Sequence, residues 1–320
     1  MKTKNSIKVV VVGGAGFIGS NLTKALVKKG YDVHVIDNLN GGKKENVDAG
    51  ATFHSLDICN LNDIKPVFAG ASYVFHLAAL PRVQYSIEFP AESNMVNVQG
   101  MLNVLIASKD AKVKRFIYSA SSSAYGDQKT MPLKETFAAN PKSPYGLQKY
   151  IGELYCKVWS SVYGLPTVSL RYFNVYGPGQ NAEGAYALVI AKFFKQRSED
   201  KPMTITGDGK QTRDFTSVHD VVSANILAMK SKSVGNGEVI NIGAGHNHSV
   251  NEVARLIGGP VEYIPARLEP KNTLADNKCA KKLLGWKPLV SFKQGIEELK
   301  NEPCLCGSGK KYKKCHGAGK

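Results

Sequence analysis

Val9-Val10-Val11-Val12-Gly13-Gly14-Ala15-Gly16-Phe17-Ile18-Gly19 is the stretch that decides the fold. Four β-branched residues, then glycine punctuation, then an amphipathic segment make the pattern of a buried strand turning into a helix. Gly13 permits the tight turn, Gly16 lets a pyrophosphate approach the backbone, and Gly19 allows the helix to pack closely on the strand. A helix N-terminus behind such a turn favours an anion. Lys2, Lys4 and Lys8 ahead of the apolar run loosely imitate a secretion signal, but a buried first strand accounts for the same residues and keeps the turn intact. Asp37 ends the next strand-like run, about 20 residues on, where a carboxylate binds ribose hydroxyls and repels a 2′-phosphate, favouring NAD over NADP.

Outward from this turn, residues 7–12, 32–36, 73–77, 115–119 and 166–171 read as strands. Residues 19–29 and 150–163 read as helices, and 95–108 carry apolar side chains at helical spacing. The alternation predicts an α/β protein with a Rossmann-type, doubly wound parallel sheet. Beyond Asn174 the pattern loosens into glycine- and proline-rich loops, the composition of a smaller substrate lobe. The expected division is an NAD-binding domain over 1–174, a substrate-binding lobe over 175–300 partly interleaved with it, and a separate short tail over 301–320.

Composition bounds the function. No apolar run reaches the ~18 residues of a membrane-spanning helix. The net charge of +16 suits anionic ligands, but no aromatic-studded basic stretch of an RNA-binding kind accompanies it. Cys59, Cys156 and Cys279 stand apart and read as buried thiols, whereas Cys304, Cys306 and Cys315 crowd the C-terminus. Thiols scattered without a framework point to a reducing, cytoplasmic location.

Tyr145 and Lys149 stand four apart on one helix face. A phenol with a pKa near 10 is a poor base at neutral pH, and a nearby ammonium lowers it. Ser119-Ala120-Ser121-Ser122-Ser123-Ala124-Tyr125-Gly126 follows a strand directly, which puts hydroxyls at the end of a parallel strand where ligands bind.

Together these residues resemble the extended short-chain dehydrogenase/reductase superfamily, and within it the NAD-dependent UDP-sugar 4-epimerases, over residues 7 to 298. The resemblance implies a catalytic trio of Ser121, Tyr145 and Lys149. It implies contacts to tightly bound NAD from Gly13, Gly16, Phe17, Ile18, Asp37, Asn38, Asp57, Ile58, Leu77, Ala78, Ala79, Asn97, Tyr145, Lys149 and Phe173. Substrate contacts fall to Ser121, Ser122, Ser123, Asn174, Val189, Phe193, Ile205, Arg213, Arg267, Thr273 and Asp276. Gly207-Asp208-Gly209-Lys210-Gln211-Thr212-Arg213-Asp214-Phe215 is the most specific segment, with Arg213 gripping the UDP phosphates. The chain departs from the family at Arg267-Leu268-Glu269, where the pattern is Arg-x-Gly followed by an acid, and the loop to Asp276 is one residue shorter.

The resemblance also separates reaction types. Related 4,6-dehydratases carry Asp-Glu, and decarboxylases a Glu, where this chain has Ser122 and Ser123, so the expectation is C4 epimerisation through a 4-keto sugar. Thr273 matches a position where a bulky tyrosine excludes N-acetylated sugars in some members. Ser121–Ser123 and Gly184-Ala185-Tyr186-Ala187 also resemble members acting on UDP-N-acetylglucosamine. UDP-N-acetylglucosamine/UDP-N-acetylgalactosamine is therefore the expected pair, ahead of UDP-glucose/UDP-galactose; a UDP-glucuronate 4-epimerase and a catalytically idle sugar-nucleotide platform are the alternatives. The family also implies a homodimer built from two helices per subunit.

Asn301 to Gly317 resembles the SEC-C motif, a small zinc module, with Cys304, Cys306, Cys315 and His316 as ligands. Three thiolates and an imidazole suit structural zinc with no open position, so no catalysis is assigned to it. The expected role is docking of a partner protein or the ribosome.

Overall fold

The computed structural model describes residues 6–182, 188–266 and 272–318. Its centre is β1, Lys8–Val12, whose four valines are fully buried. Successive side chains of a strand point to opposite faces. Val9 and Val11 accordingly join one core with Leu22, Leu26 and Val221, while Val10 and Val12 join another with Val104, Leu105 and Trp159. A strand covered on both faces has no polar positions, which is why the run is continuous rather than alternating.

β1 is flanked in parallel by β2 (Asp32–Asp37) and β4 (Tyr73–His76). Beyond β2 lies β3 (Thr52–Ser55); beyond β4 lie β5 (Arg115–Ser121), β6 (Thr167–Tyr172) and a last strand, Asn236–Ile242. The seven strands form one parallel sheet whose order reverses between β1 and β4, and the ligand crevice of a doubly wound sheet opens at that point. The last strand comes from the second half of the chain, and the Val218–Lys230 helix packs with it on the sheet. The interleaving is thus the return of the chain to the first sheet after residue 174. A third core, around Phe193, Ile205, Phe215 and Val253, holds the smaller lobe together.

Several elements differ from their sequence-based bounds. The first helix is Phe17–Lys28, and the long helix starts at Pro144 rather than at residue 150. Ser143 caps it by accepting from Gly146 N at 3.1 Å, and Pro144 fills the first helical position, where its missing N–H costs nothing. Tyr145 and Lys149 therefore share one helix with Tyr163. The 95–108 segment opens with a π-helical turn, Met95–Gly100, before becoming α-helical over Met101–Asp110. Only Cys156 of the three isolated cysteines is fully buried; Cys59 and Cys279 are partly exposed. Among the described residues no helix is long and apolar enough to cross a membrane.

Candidate functional site

The glycine turn does what its residues require. Gly13 has φ 85°, and a Cβ there would lie 2.5 Å from Ala78 N at the end of β4. A Cβ on Gly19 would collide with the Gly13 carbonyl. At Gly16 a Cβ would meet only that carbonyl, at 3.4 Å, and no side chain caps the Phe17–Lys28 helix. Its first N–H groups therefore have no capping side chain, and this fits a dinucleotide pyrophosphate. Asp37 accepts from Ala15 N at 3.0 Å and Leu39 N at 2.8 Å, which fixes the carboxylate at the strand end. Asp57 accepts from Cys59 N at 2.8 Å and Asn38 Nδ2 at 3.1 Å; against the cost of burial, these bonds hold its carboxyl below the ordinary range.

Leu77, Ala78 and Ala79 leave β4 at the same crevice, with Leu77 N and Ala78 N both bonded to Val12 O. The expected contacts Ile58, Asn97 and Phe173 are buried. Ile58 lies in the core, and Phe173 is fully buried with Tyr125. Asn97 accepts from Leu80 N at 2.7 Å and donates to Gln148 Oε1 at 2.8 Å, tying the end of β4 to the long helix.

Ser121 ends β5, and its hydroxyl accepts from Ser123 N at 3.1 Å. It is also the hydrogen-bonding neighbour of the Tyr145 phenol. Burial raises the Tyr145 pKa; Ser121 and the charge of Arg82 lower it. Lys149, expected to supply that lowering, instead donates to Ser119 O at 2.8 Å and lies 5.0 Å from the Tyr118 ring centre. Burial pushes the Lys149 pKa down to about 8, with Glu153 opposing. Glu153 in turn pairs with Arg171 through bonds of 2.8 and 2.6 Å deep in the protein.

Arg82 was not legible in the sequence. It precedes the short Val83–Glu88 helix, in which Ser86 accepts the backbone N–H of Tyr145 at 3.0 Å. That bond satisfies one of the N–H groups a helix start leaves unpaired, and it docks the Val83–Glu88 helix, which follows Arg82, onto the start of the long helix.

A cavity of about 240 Å³ lies in the smaller lobe, lined among others by Asn174, Gln180, Val189, Lys192, Gln211 and Arg213. Arg213 sits on the Thr212–Asp214 strand, which pairs with Asn247–Ser249. Asp214 is fully buried and accepts from Ala244, Gly245 and Ala275 N–H groups at 2.8–3.0 Å, locking the strand between two loops. Thr273 Oγ1 accepts from Asn174 Nδ2 and Asp214 N, both at 3.2 Å. Of the expected substrate contacts, Phe193 and Ile205 are buried in the third core, and their neighbours Lys192 and Thr204 line the cavity. Asp276 is almost buried and accepts from Lys278 N at 2.9 Å. Ser122 and Ser123 are partly exposed in the turn after β5. Arg267 and residues 184–187 lie outside the described residues.

In the tail, Sγ of Cys304, Cys306 and Cys315 and a ring nitrogen of His316 lie within 4.8 Å of one another. Separations of 3.3 Å (His316 Nδ1 to Cys304 and Cys315) and 3.7 Å (Cys306 to Cys315) match the edges of a tetrahedron with metal bonds of about 2.0–2.3 Å. The four residues fit a zinc ion.

A doubly wound sheet with a glycine turn, a carboxylate fixed at the end of the second strand, and Ser121, Tyr145 and Lys149 gathered at the end of β5 fits a dinucleotide-dependent enzyme acting at a carbinol carbon. The sequence profile of the NAD dependent epimerase/dehydratase family matches residues 9–243, and that of the SEC-C motif residues 301–318. The chain belongs to the NAD dependent epimerase/dehydratase family. It is 38% identical over 302 residues to a putative UDP-glucose 4-epimerase of Methanocaldococcus jannaschii, covering 92% of this chain and 97% of the relative. Among solved structures, a UDP-N-acetylglucosamine 4-epimerase from Methanobrevibacter ruminantium in complex with UDP-N-acetylmuramic acid superposes with a TM-score of 0.87 at 37% identity, covering 92% and 97% of the two chains. A UDP-glucuronic acid 4-epimerase from Bacillus cereus, in complex with UDP-glucuronic acid and NAD, gives 0.84 at 35% identity, covering 91% and 97%. NAD is the cofactor of this family.

Proposed function

We propose that the chain epimerises C4 of a UDP-linked sugar, with UDP-N-acetylglucosamine/UDP-N-acetylgalactosamine as its preferred pair and UDP-glucose/UDP-galactose also accepted. The observation that carries the reaction is the convergence of Ser121 and Tyr145 at the crevice, with Lys149 one helical turn beyond. Bound NAD supplies a reversible hydride acceptor for C4, so that a 4-keto sugar forms and no cofactor is consumed. Tyr145 takes the C4 hydroxyl proton and returns it, and Ser121 orients that hydroxyl. Lys149 keeps a positive charge at the β5 end, and Arg213 and Asn174 hold the diphosphate while the sugar turns. The short Thr273 side chain, already bonded to Asn174, supports room for a C2 N-acetyl group. Purified protein given UDP-N-acetylglucosamine without added NAD is expected to form the 4-epimer. Failure with this substrate and with UDP-glucose and UDP-glucuronate overturns the reading.

One observation favours a second substrate. Arg82 brings a cation beside Tyr145, a feature that suits a sugar with a C6 carboxylate such as UDP-glucuronate. Initial rates on the three nucleotides side by side decide between them.

We further propose a homodimer, supported by the exposed apolar stripe of Leu147, Leu154, Val158 and Val162 along the long helix. Structural zinc in the tail rests on the Cys3His geometry, and a reducing cytoplasmic location on the six unpaired cysteines. Exposed Lys310, Lys311 and Lys314 offer a basic face for an acidic protein or ribosomal RNA.

A further inference from the structure

The tail is packed onto the body rather than hanging from it. Tyr312 is 2% exposed and meets the Phe194 ring edge-on at 4.9 Å, in the core shared with Phe193 and Ile205. Cys304 belongs to the same core. Tyr312 N donates to Glu302 O at 2.9 Å, and Pro303 bridges to Lys311, so the tail closes on itself around this contact.

The metal-ligand geometry reaches further. His316 turns Nδ1 toward Cys304 and Cys315, and its other nitrogen, Nε2, lies 3.3 Å from Asp200 Oδ2. Metal-bound imidazoles commonly donate their second N–H to a carboxylate, which fixes the tautomer and raises the basicity of the ligand. Asp200 is no part of the tail motif. It follows the Val189–Ser198 helix at φ 56°, held there by its N–H to Arg197 O at 3.2 Å.

That helix joins two sites. At its N-terminal end Val189, Ile190 and Lys192 line the 240 Å³ cavity. At its C-terminal end Phe194 and the buried Arg197 meet Tyr312, and Asp200 meets His316. Ten residues span only about 15 Å, and a helix this short is marginal without tertiary contacts.

We propose that the enzyme body completes the tail's metal centre through Asp200, and that the metal, by holding Tyr312 and Asp200 in place, orders the Val189–Ser198 helix and tightens sugar-nucleotide binding. The two sites are then linked: zinc raises affinity for UDP, and UDP raises affinity for zinc by the same factor. The proposal rests on the zinc reading of the tail and not on the identity of the sugar.

The test uses the full-length protein under reducing conditions and reads binding rather than turnover. Removing zinc with a chelator is expected to weaken UDP binding about fivefold or more by calorimetry, while NAD stays bound. Competition with a chromophoric chelator is expected to give Asp200→Ala about tenfold weaker zinc affinity than the unaltered protein. The metal-free forms of the two proteins are expected to melt at the same temperature, which a merely structural role for Asp200 would not leave unchanged. Equal zinc affinity in Asp200→Ala, or UDP affinity indifferent to zinc, overturns the proposal. A full-length protein that retains no zinc overturns the zinc reading with it, and leaves the reading of the catalytic centre intact.

Discussion

The Lys149 ammonium donates to the Ser119 carbonyl at 2.8 Å, so the charge is anchored at the end of β5 rather than against the Tyr145 phenol. It is held in a buried site, and its pKa falls from 10.5 to about 8. Above about pH 8 the charge is lost, and kcat/KM is expected to fall with an apparent pKa near 8. Stability moves the other way. Between about 8 and 10.5 the unfolded chain binds more protons than the folded one, so unfolding free energy rises with pH across that window. A pH–rate profile and urea denaturation over the same range check both signs; a rate that holds steady up to pH 10.5 removes Lys149 from the chemistry.

Tyr145 and Arg82 make a second prediction. Burial holds the phenol above its ordinary range in the free protein, with Ser121 and Arg82 opposing it. Tyr145→Phe removes the proton carrier and is expected to lower kcat by about 10²–10⁴ while bound NAD is retained. Arg82→Gln removes one lowering influence, so the acidic limb of kcat/KM is expected to move to higher pH. If the sugar carries a carboxylate, Arg82→Gln also raises KM for UDP-glucuronate more than for UDP-glucose. An unmoved acidic limb shows that Arg82 does not tune the phenol.

Glu153 and Arg171 form an ion pair with side chains only 2% and 4% exposed. Removing one partner of such a pair leaves a buried charge unmatched, at a cost of about 3–5 kcal/mol. Glu153→Ala is expected to lose stability of this order in urea denaturation. Glu153 also raises the Lys149 pKa, so the alkaline limb is expected to shift to lower pH in the same variant. A stability loss without that shift would separate the ion pair from the titration of Lys149.

What the sequence disclosed, and what it hid, follows from the range of the interactions. The glycine turn, Asp37 and the Tyr145–Lys149 spacing are local, and each lies where its pattern placed it. The Cys/His cluster of the tail was also legible, its members being only 12 residues apart at most. Arg82 was not, because its nearness to Tyr145 depends on the Ser86 hydroxyl docking one helix on another across 59 residues. The acceptor of Lys149 is a backbone carbonyl, which leaves no mark on residue identity. Phe193 and Ile205 lie in the core while their neighbours Lys192 and Thr204 line the cavity, a difference of one position that residue type alone does not reveal. The packing of the tail, through Tyr312 and Phe194, joins positions too far apart for any periodicity to reveal.

The exposed stripe of Leu147, Leu154, Val158 and Val162 runs along one side of the helix that carries Tyr145. Large exposed apolar surface of this kind marks an interface. The unaltered chain is expected to sediment as the proposed dimer, and the double variant Leu154→Arg, Val158→Glu as a monomer. Identical sedimentation of the two would remove this face from the assembly.

Arg213 is fixed from both sides: its strand pairs with Asn247–Ser249, and the neighbouring Asp214 is clamped by three backbone N–H groups. The backbone that carries Arg213 is thus set in advance, and an arginine's hydrogen bonds to a diphosphate are charge-assisted. Arg213→Ala is expected to cost about 1.5–3 kcal/mol of UDP binding, or roughly a 10–100-fold rise in Kd, measured by calorimetry. Arg213→Lys keeps the charge but not the two-pronged geometry, and should fall between the two. The loss should shrink as salt is raised, because part of it is electrostatic. UDP affinity equal in Arg213→Ala and the unaltered protein would mean that the phosphates lie elsewhere, and that the cavity lined by Asn174 and Lys192 serves another ligand.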